Sequence, residues 1–164
     1  MSDRDIIKFR PVGIVHTKAS DDMIREAGKG IESTVEIYPE FLDALEGIDG
    51  FSHIFILGYF HKLRPDQIGP LKVNPRRYLR RGFKLEELPL IGVFALDSPT
   101  RPNPIGLALA RLVKRDGNKL FVTGLDYFDG TPVLDIKPYG PDRQADDFAL
   151  PEWRLKLMSK AGHI

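Results

Sequence analysis

Seven short segments, each rich in β-branched and aromatic residues and each closed off by Gly, Pro, Asn or Asp, dominate this sequence. They cover residues 11–17, 31–37, 52–60, 90–96, 107–114, 120–127 and 133–137. No stretch of helical period long enough to cover a parallel sheet alternates with them, which removes βαβ architectures and leaves a mainly antiparallel chain. Strands this short expose unpaired edges unless the sheet closes, so the expected fold is mainly β, a single small β-barrel or else a strongly curved sheet, with short helices.

Turn chemistry agrees with that expectation. Asp116-Gly117-Asn118 and Asp129-Gly130-Thr131 read as tight hairpins, because Asp-Gly pairs tolerate the positive φ such turns need. Short helices are expected over 39–45 and 151–158, where a proline opens the segment and acids follow. At 164 residues the chain reads as one domain spanning 1–164, able to bury roughly 70% of the surface its unfolded form exposes. It contains no cysteine, which excludes disulfides, thiolate zinc sites and a cysteine nucleophile and fits a reducing, cytoplasmic setting. The first residues, MSDRDIIKFRPVGIVHT, mix acids and bases before a short apolar run, and read as neither a signal peptide nor a membrane span.

The formal net charge of +1 conceals segregation along the chain. Between Lys62 and Lys84, eight basic residues face the single acid Asp66, with Tyr78 and Phe83 interleaved. Four glycine or proline breaks (Pro65, Gly69, Pro70, Pro75) make this a long basic loop between strands, and loops of that length commonly carry function. Acids gather later, at Asp126, Asp129, Asp135, Asp142, Asp146 and Asp147.

Three stretches could carry chemistry. In SPTRPNPIGLALARLVK, Pro99, Pro102 and Pro104 fix three φ angles and restrict the residues before them, so Arg101 and Asn103 are expected to be held extended, while Gly106 permits close backbone approach. In LDYFDGTPVLDIKPY, Asp135 and Lys137 stand two apart on a strand and face one side, with Leu134 and Ile136 facing the other. A carboxylate and an ammonium are thus expected together in a cleft or a mouth, although a plain ion pair would look the same. In GFSHIFILGYFHK, His53 and His61 bracket an apolar strand without a third ligand at metal spacing, so no metal is assigned. Neither Ser-His-Asp order, H-E-x-x-H nor a phosphate-binding glycine run is present.

Taken together, PVGIVHT, GIDGFSHIFILGYFH, GVFALDSPTRPNPIGLALARL and LDYFDGTPVLDIKPY resemble the TrmO or TsaA-like family in the family's own order. The resemblance implies a TsaA-like β-barrel and an S-adenosylmethionine-dependent tRNA methyltransferase that methylates N6 of threonylcarbamoyladenosine beside the anticodon. It also implies a homodimer with the cofactor near its interface. Cofactor contacts carried over by motif are Phe60, His61 and Lys62; Arg101, Asn103, Pro104, Gly106, Leu107 and Leu109; Asp129, Gly130, Thr131 and Pro132; and, in an early loop after Arg25, Glu26, Ala27 and Gly28. Asp135, Lys137 and Tyr139 are the expected acid-base and orienting group. A carbamoylated N6 is more acidic than a plain exocyclic amine, so a nearby base suffices to take its proton.

Two departures from the family pattern stand out. Asp97 occupies a position where many members have arginine, and the separate C-terminal domain of larger bacterial members is not expected here. The grip on tRNA is therefore assigned to the basic loop, through Arg76, Arg77, Tyr78, Arg80, Arg81 and Lys84, with Tyr78 and Phe83 stacking on bases. Two other readings remain open: a non-catalytic RNA- or nucleotide-binding barrel, and a methyltransferase acting on a small molecule.

Overall fold

The computed structural model describes residues 6–28 and 30–162. They form two compact units, one holding the chain up to Lys62 together with Ile105–Arg143, the other Leu63–Pro104 with the chain from Gln144 onward.

The first unit is a closed barrel of six antiparallel strands. They are β1 (Gly13–His16), β2 (Ile31–Ile37), β3 (His53–Tyr59), β6 (Ile105–Asp116), β7 (Lys119–Leu125) and β8 (Pro132–Pro138), in the order β1-β2-β7-β6-β3-β8. Because β8 pairs back onto β1, no strand of the barrel is left with an open edge. Alternation decides which side chains fill it: Ile54 and Ile56 from β3, Ala108 and Ala110 from β6, Leu120 and Val122 from β7, and Val15, Val35 and Val133 point inward and are buried. Each buried valine, leucine or isoleucine among them contributes about 1.5–3 kcal/mol. Gly117, at φ 58, makes the turn between β6 and β7, and the Asn118 side chain ties that turn to the end of β2 by donating to the Ile37 carbonyl at 2.7 Å.

The pairing of β3 with β8 is interrupted once. Along β3, Leu57 pairs with Asp135 but its neighbour Gly58 pairs with Val133, so Leu134 is an extra residue in β8. Such a bulge bends the strand and separates its Asp135 end from its Thr131 end.

The first unit also carries α1 (Asp21–Glu26), a helix that the strand-dominated reading of the sequence does not anticipate. Its signal is nonetheless in the sequence: Ser20 caps it by accepting from the Met23 amide, and Asp21 and Asp22 sit in its first turn. Residues 39–45 form a 3-10 turn opened by Pro39, as a short helix there would require.

The second unit contains a two-stranded ladder, β4 (Lys72–Val73) with β5 (Ile91–Gly92), and α2 (Glu152–Lys160). Tyr78, Phe83, Leu88 and Leu157 form its core, with Trp153 and Ala161 packed against them. The expected strand over 90–96 is reduced here to two residues, because the chain turns into a 3-10 segment at Val93–Ala95 and Val93 is buried there. Six strands rather than seven therefore build the barrel. No described helix is long and apolar enough to cross a membrane.

Candidate active site

At one end of the barrel, Gly58 and Gly106 face each other in the β3–β6 register. A Cβ on Gly58 would lie 2.7 Å from the Tyr127 ring, and one on Gly106 would lie 2.6 Å from the Phe60 ring. The two glycines thus make room for an edge-to-face pair, Phe60 and Tyr127, with centroids 5.9 Å apart. The Tyr127 hydroxyl donates to the Ile56 carbonyl at 2.8 Å. Burial, aided by the Asp126 carboxylate, pushes its pKa far above the ordinary phenol value, so Tyr127 is a fixed donor and not a base.

The turn after Tyr127 that contains Asp129-Gly130-Thr131 is not the expected hairpin: it joins β7 to β8, which are not neighbours in the barrel, and it is sewn to β1 instead. Gly130 donates to the Val15 carbonyl at 2.8 Å, Val15 donates back to Thr131, and the Asp129 carboxylate accepts the Thr17 amide at 2.9 Å. Thr131 is buried, with its hydroxyl donating to the Phe128 carbonyl at 2.8 Å. In the same turn, the Phe128 ring is covered by two cations, Arg25 at 4.7 Å and Lys62 at 5.2 Å. Lys62 also holds both oxygens of Asp21, at 2.9 and 3.0 Å. That ion pair ties α1 to the end of β3, and Glu26, Ala27 and Gly28 leave the cluster directly after Arg25. Asp21 and Phe128 are the members of this group that the sequence did not single out. Beside Lys62 and this turn lies His61, whose pKa is lowered first by burial and then by Lys62, while Asp21 and Asp129 pull it the other way. Its imidazole is thereby biased toward the neutral form.

Asp135, Lys137 and Tyr139 come together on a different surface from the one expected. They stand on the outer wall of the barrel, not inside a cleft or mouth, because the core side of β8 is taken by Val133 and Ile136. Lys137 and Asp135 form an ion pair at 2.9 Å with both side chains about half exposed, and the Ile136 amide donates to the other carboxylate oxygen at 2.9 Å. Leu57 is paired with Asp135 on one side and Leu107 on the other; Phe55 is likewise paired with Lys137 and Leu109. Since paired residues share a face, Asp135 and Lys137 lie in the same two rows as Leu107 and Leu109. Tyr139 packs edge-on against Phe55, with centroids 5.6 Å apart.

In the second unit, the proline-rich loop is curved and not extended. The Arg101 guanidinium turns back to donate to the carbonyls of Leu96, at 3.0 Å, and Ser98, at 3.1 Å, and the chain bends around it. Asn103 is exposed and Pro104 buried; Asp97 is exposed. The basic stretch forms a 3-10 turn, Arg76–Arg81, and here the expectation for the aromatics fails. Tyr78 is 2% exposed and Phe83 7%, their rings packed edge-to-face at 5.4 Å, so neither offers a face to a base. Arg77 and Arg81 lie over the Tyr78 ring at 5.2 and 5.8 Å, which leaves charge as the resource of this surface.

The sequence profile of the tRNA-methyltransferase O N-terminal domain matches residues 20–145. A probable S-adenosyl-L-methionine-binding protein of Pyrococcus abyssi is 42% identical over 94% of this chain and 80% of its own length. The mouse tRNA (adenine(37)-N6)-methyltransferase is 46% identical over 60% of this chain, a stretch that makes up 21% of the mouse protein. The crystal structure of TrmO from Pseudomonas aeruginosa superposes with a TM-score of 0.67 at 28% identity, covering 90% of this chain and 62% of that one. The chain therefore spans about three fifths of the length of the solved relative.

Proposed function

This chain belongs to the tRNA-methyltransferase O N-terminal domain family, and from that premise we propose that it is an S-adenosylmethionine-dependent enzyme that methylates N6 of threonylcarbamoyladenosine in tRNA. The observation that carries the reading is the shared outer face, where the Asp135–Lys137 pair stands in register with Leu107 and Leu109.

The residues present suit such a cofactor by their chemistry. Exposed Leu107 and Leu109 offer apolar surface to a purine, the carboxylates of Asp129 and Asp135 offer negative charge to a sulfonium, and His61 is biased toward the uncharged form that would not repel one. Phe60, Lys62, Arg101, Asn103, Pro104, Gly106, Gly130, Thr131, Pro132 and the turn Glu26-Ala27-Gly28 complete the proposed cofactor contacts. When bound, S-adenosylmethionine supplies an electrophilic methyl group and leaves as a neutral thioether.

The chain's own part is alignment and proton transfer. Asp135 accepts the proton leaving N6, and the Lys137 ammonium stabilises the negative charge that builds on the carbamoyl oxygen as that proton departs. Tyr139, braced on Phe55, orients the acceptor. Arg76, Arg77, Arg80, Arg81 and Lys84 hold tRNA phosphates, while Tyr78 supports the turn that presents them. We assign the protein to the cytoplasm as a homodimer with the cofactor near its interface. The exposed β6 side chain Val113, 58% accessible, supplies apolar area for such a contact.

Calorimetric titration with S-adenosylmethionine and S-adenosylhomocysteine tests the cofactor half of the reading. Saturable binding of both is expected, weakened by Leu107→Asp. A folded protein that binds neither, with or without tRNA, is a binding module and no methyltransferase.

A further inference from the structure

The outer wall of β3 presents His53, Phe55 and Leu57 to the outside, and the neighbouring strands extend each into a row. Two of these rows are Asp135–Leu57–Leu107 and Lys137–Phe55–Leu109. The third lies at the far end: the Tyr139 amide donates to the His53 carbonyl at 3.3 Å, and His53 is paired with Arg111. Successive rows are about 7 Å apart along the strands. The proposed cofactor contacts Phe60, His61 and Lys62 follow the opposite end of β3, so the strip has a direction: cofactor first, the Asp135–Lys137 pair in the middle, Arg111 last.

Arg111 differs from the other charges on this strip. Lys137 is neutralised by Asp135 at 2.9 Å. Arg111 is exposed, and among the described residues its guanidinium makes no hydrogen bond or ion pair. Its strand partners are His53 and Thr123, with Tyr139 beyond His53, and none of these carries negative charge. His53 is itself held by a 2.9 Å contact between its Nδ1 and the Ser52 hydroxyl. An exposed guanidinium with no internal carboxylate, at the acceptor end of a strip that ends in an aromatic pair, is a fork suited to a bidentate contact with a carboxylate or a phosphate.

We infer that Arg111 is a specificity-determining residue that receives an oxyanion of the acceptor, from one of two sources: the carboxylate that a threonylcarbamoyl group carries, or a phosphate of the RNA backbone. The inference rests on the proposed methyltransferase function and goes beyond it by naming what the acceptor must present opposite the cofactor.

The test compares wild type, Arg111→Gln and Arg111→Lys on two substrates: tRNA bearing threonylcarbamoyladenosine, and the same tRNA with that carboxylate capped as its methylamide. Loss of a charged fork at this position predicts a fall in kcat/KM of about ten- to a hundredfold for Arg111→Gln, with partial rescue by lysine. A fall confined to the uncapped substrate places the guanidinium on the carboxylate. An equal fall on both, with the salt slope of tRNA binding reduced by about 0.7–0.9, places it on a phosphate. Unchanged kcat/KM on both substrates overturns the inference while leaving the methyltransferase reading intact. A wild-type protein that binds S-adenosylmethionine but methylates neither substrate refutes that reading, and the role of Arg111 with it.

Discussion

Gly58 and Gly106 stand opposite each other in adjacent strands, and the space their missing side chains leave is filled by the Tyr127 and Phe60 rings. The relationship is steric and therefore unforgiving. A methyl at Gly106 would sit 2.6 Å from Phe60 and 2.8 Å from the Tyr127 hydroxyl, both anchored in the barrel. Gly106→Ala is expected to destabilise the fold by about 1–3 kcal/mol, the range for forcing extra methyls into a packed core. Denaturant titration measures it; an unchanged midpoint would mean that the rings move aside freely.

Tyr78 separates a structural from a recognition role. With its ring buried and its two cation neighbours stacked on it, Tyr78→Ala should cost about 3–5 kcal/mol of stability in the unit that contains it. If thermal melting were unaffected and only tRNA affinity fell, the ring would be reaching RNA after all.

Neutralising Arg76, Arg77, Arg80 and Arg81 together addresses the same surface from outside. Affinity for tRNA should fall, and the dependence of log K on log salt should flatten by about 0.7–0.9 for each phosphate no longer held. Calorimetric binding of S-adenosylmethionine should be unchanged. Retained affinity and slope would take the basic turn out of RNA binding.

His61 gives a pH signature. Burial and the Lys62 ammonium lower its folded pKa below the ordinary histidine value of 6.5, so between that folded value and 6.5 the unfolded chain binds more protons than the native one. Stability is therefore full above pH 6.5 and declines as pH falls through this window. Lys62→Ala removes the repulsion and leaves Asp21 unpaired, so the His61 midpoint followed by NMR should move up. A midpoint that stays or falls would contradict the electrostatic assignment.

Much of this fold is readable because antiparallel strands announce themselves locally. Each of the six barrel strands overlaps a segment whose composition and bounding turns point to it, and the Asp-Gly turn at 116–117 sits between β6 and β7. What escapes is what depends on a partner far along the chain. Whether residues 90–96 extend or curl depends on Val93 finding a buried place, and whether Tyr78 faces RNA or a core depends on Phe83 and α2. The side shared by Asp135 and Lys137 follows from spacing, but that it is the outer wall requires knowing that Val133 and Ile136 fill the inside. Likewise, prolines alone suggest an extended loop around Arg101, whereas two carbonyls bend it around the guanidinium.

Methyl transfer itself is followed with a labelled methyl group from S-adenosylmethionine onto tRNA that carries threonylcarbamoyladenosine, beside tRNA that lacks the modification. Label is expected at N6 of the modified nucleotide only, with a loss of at least about a hundredfold in rate for Asp135→Asn, the range for removing a positioned proton acceptor. Absence of label on the modified tRNA, from a folded protein that binds the cofactor, would contradict the proposed function.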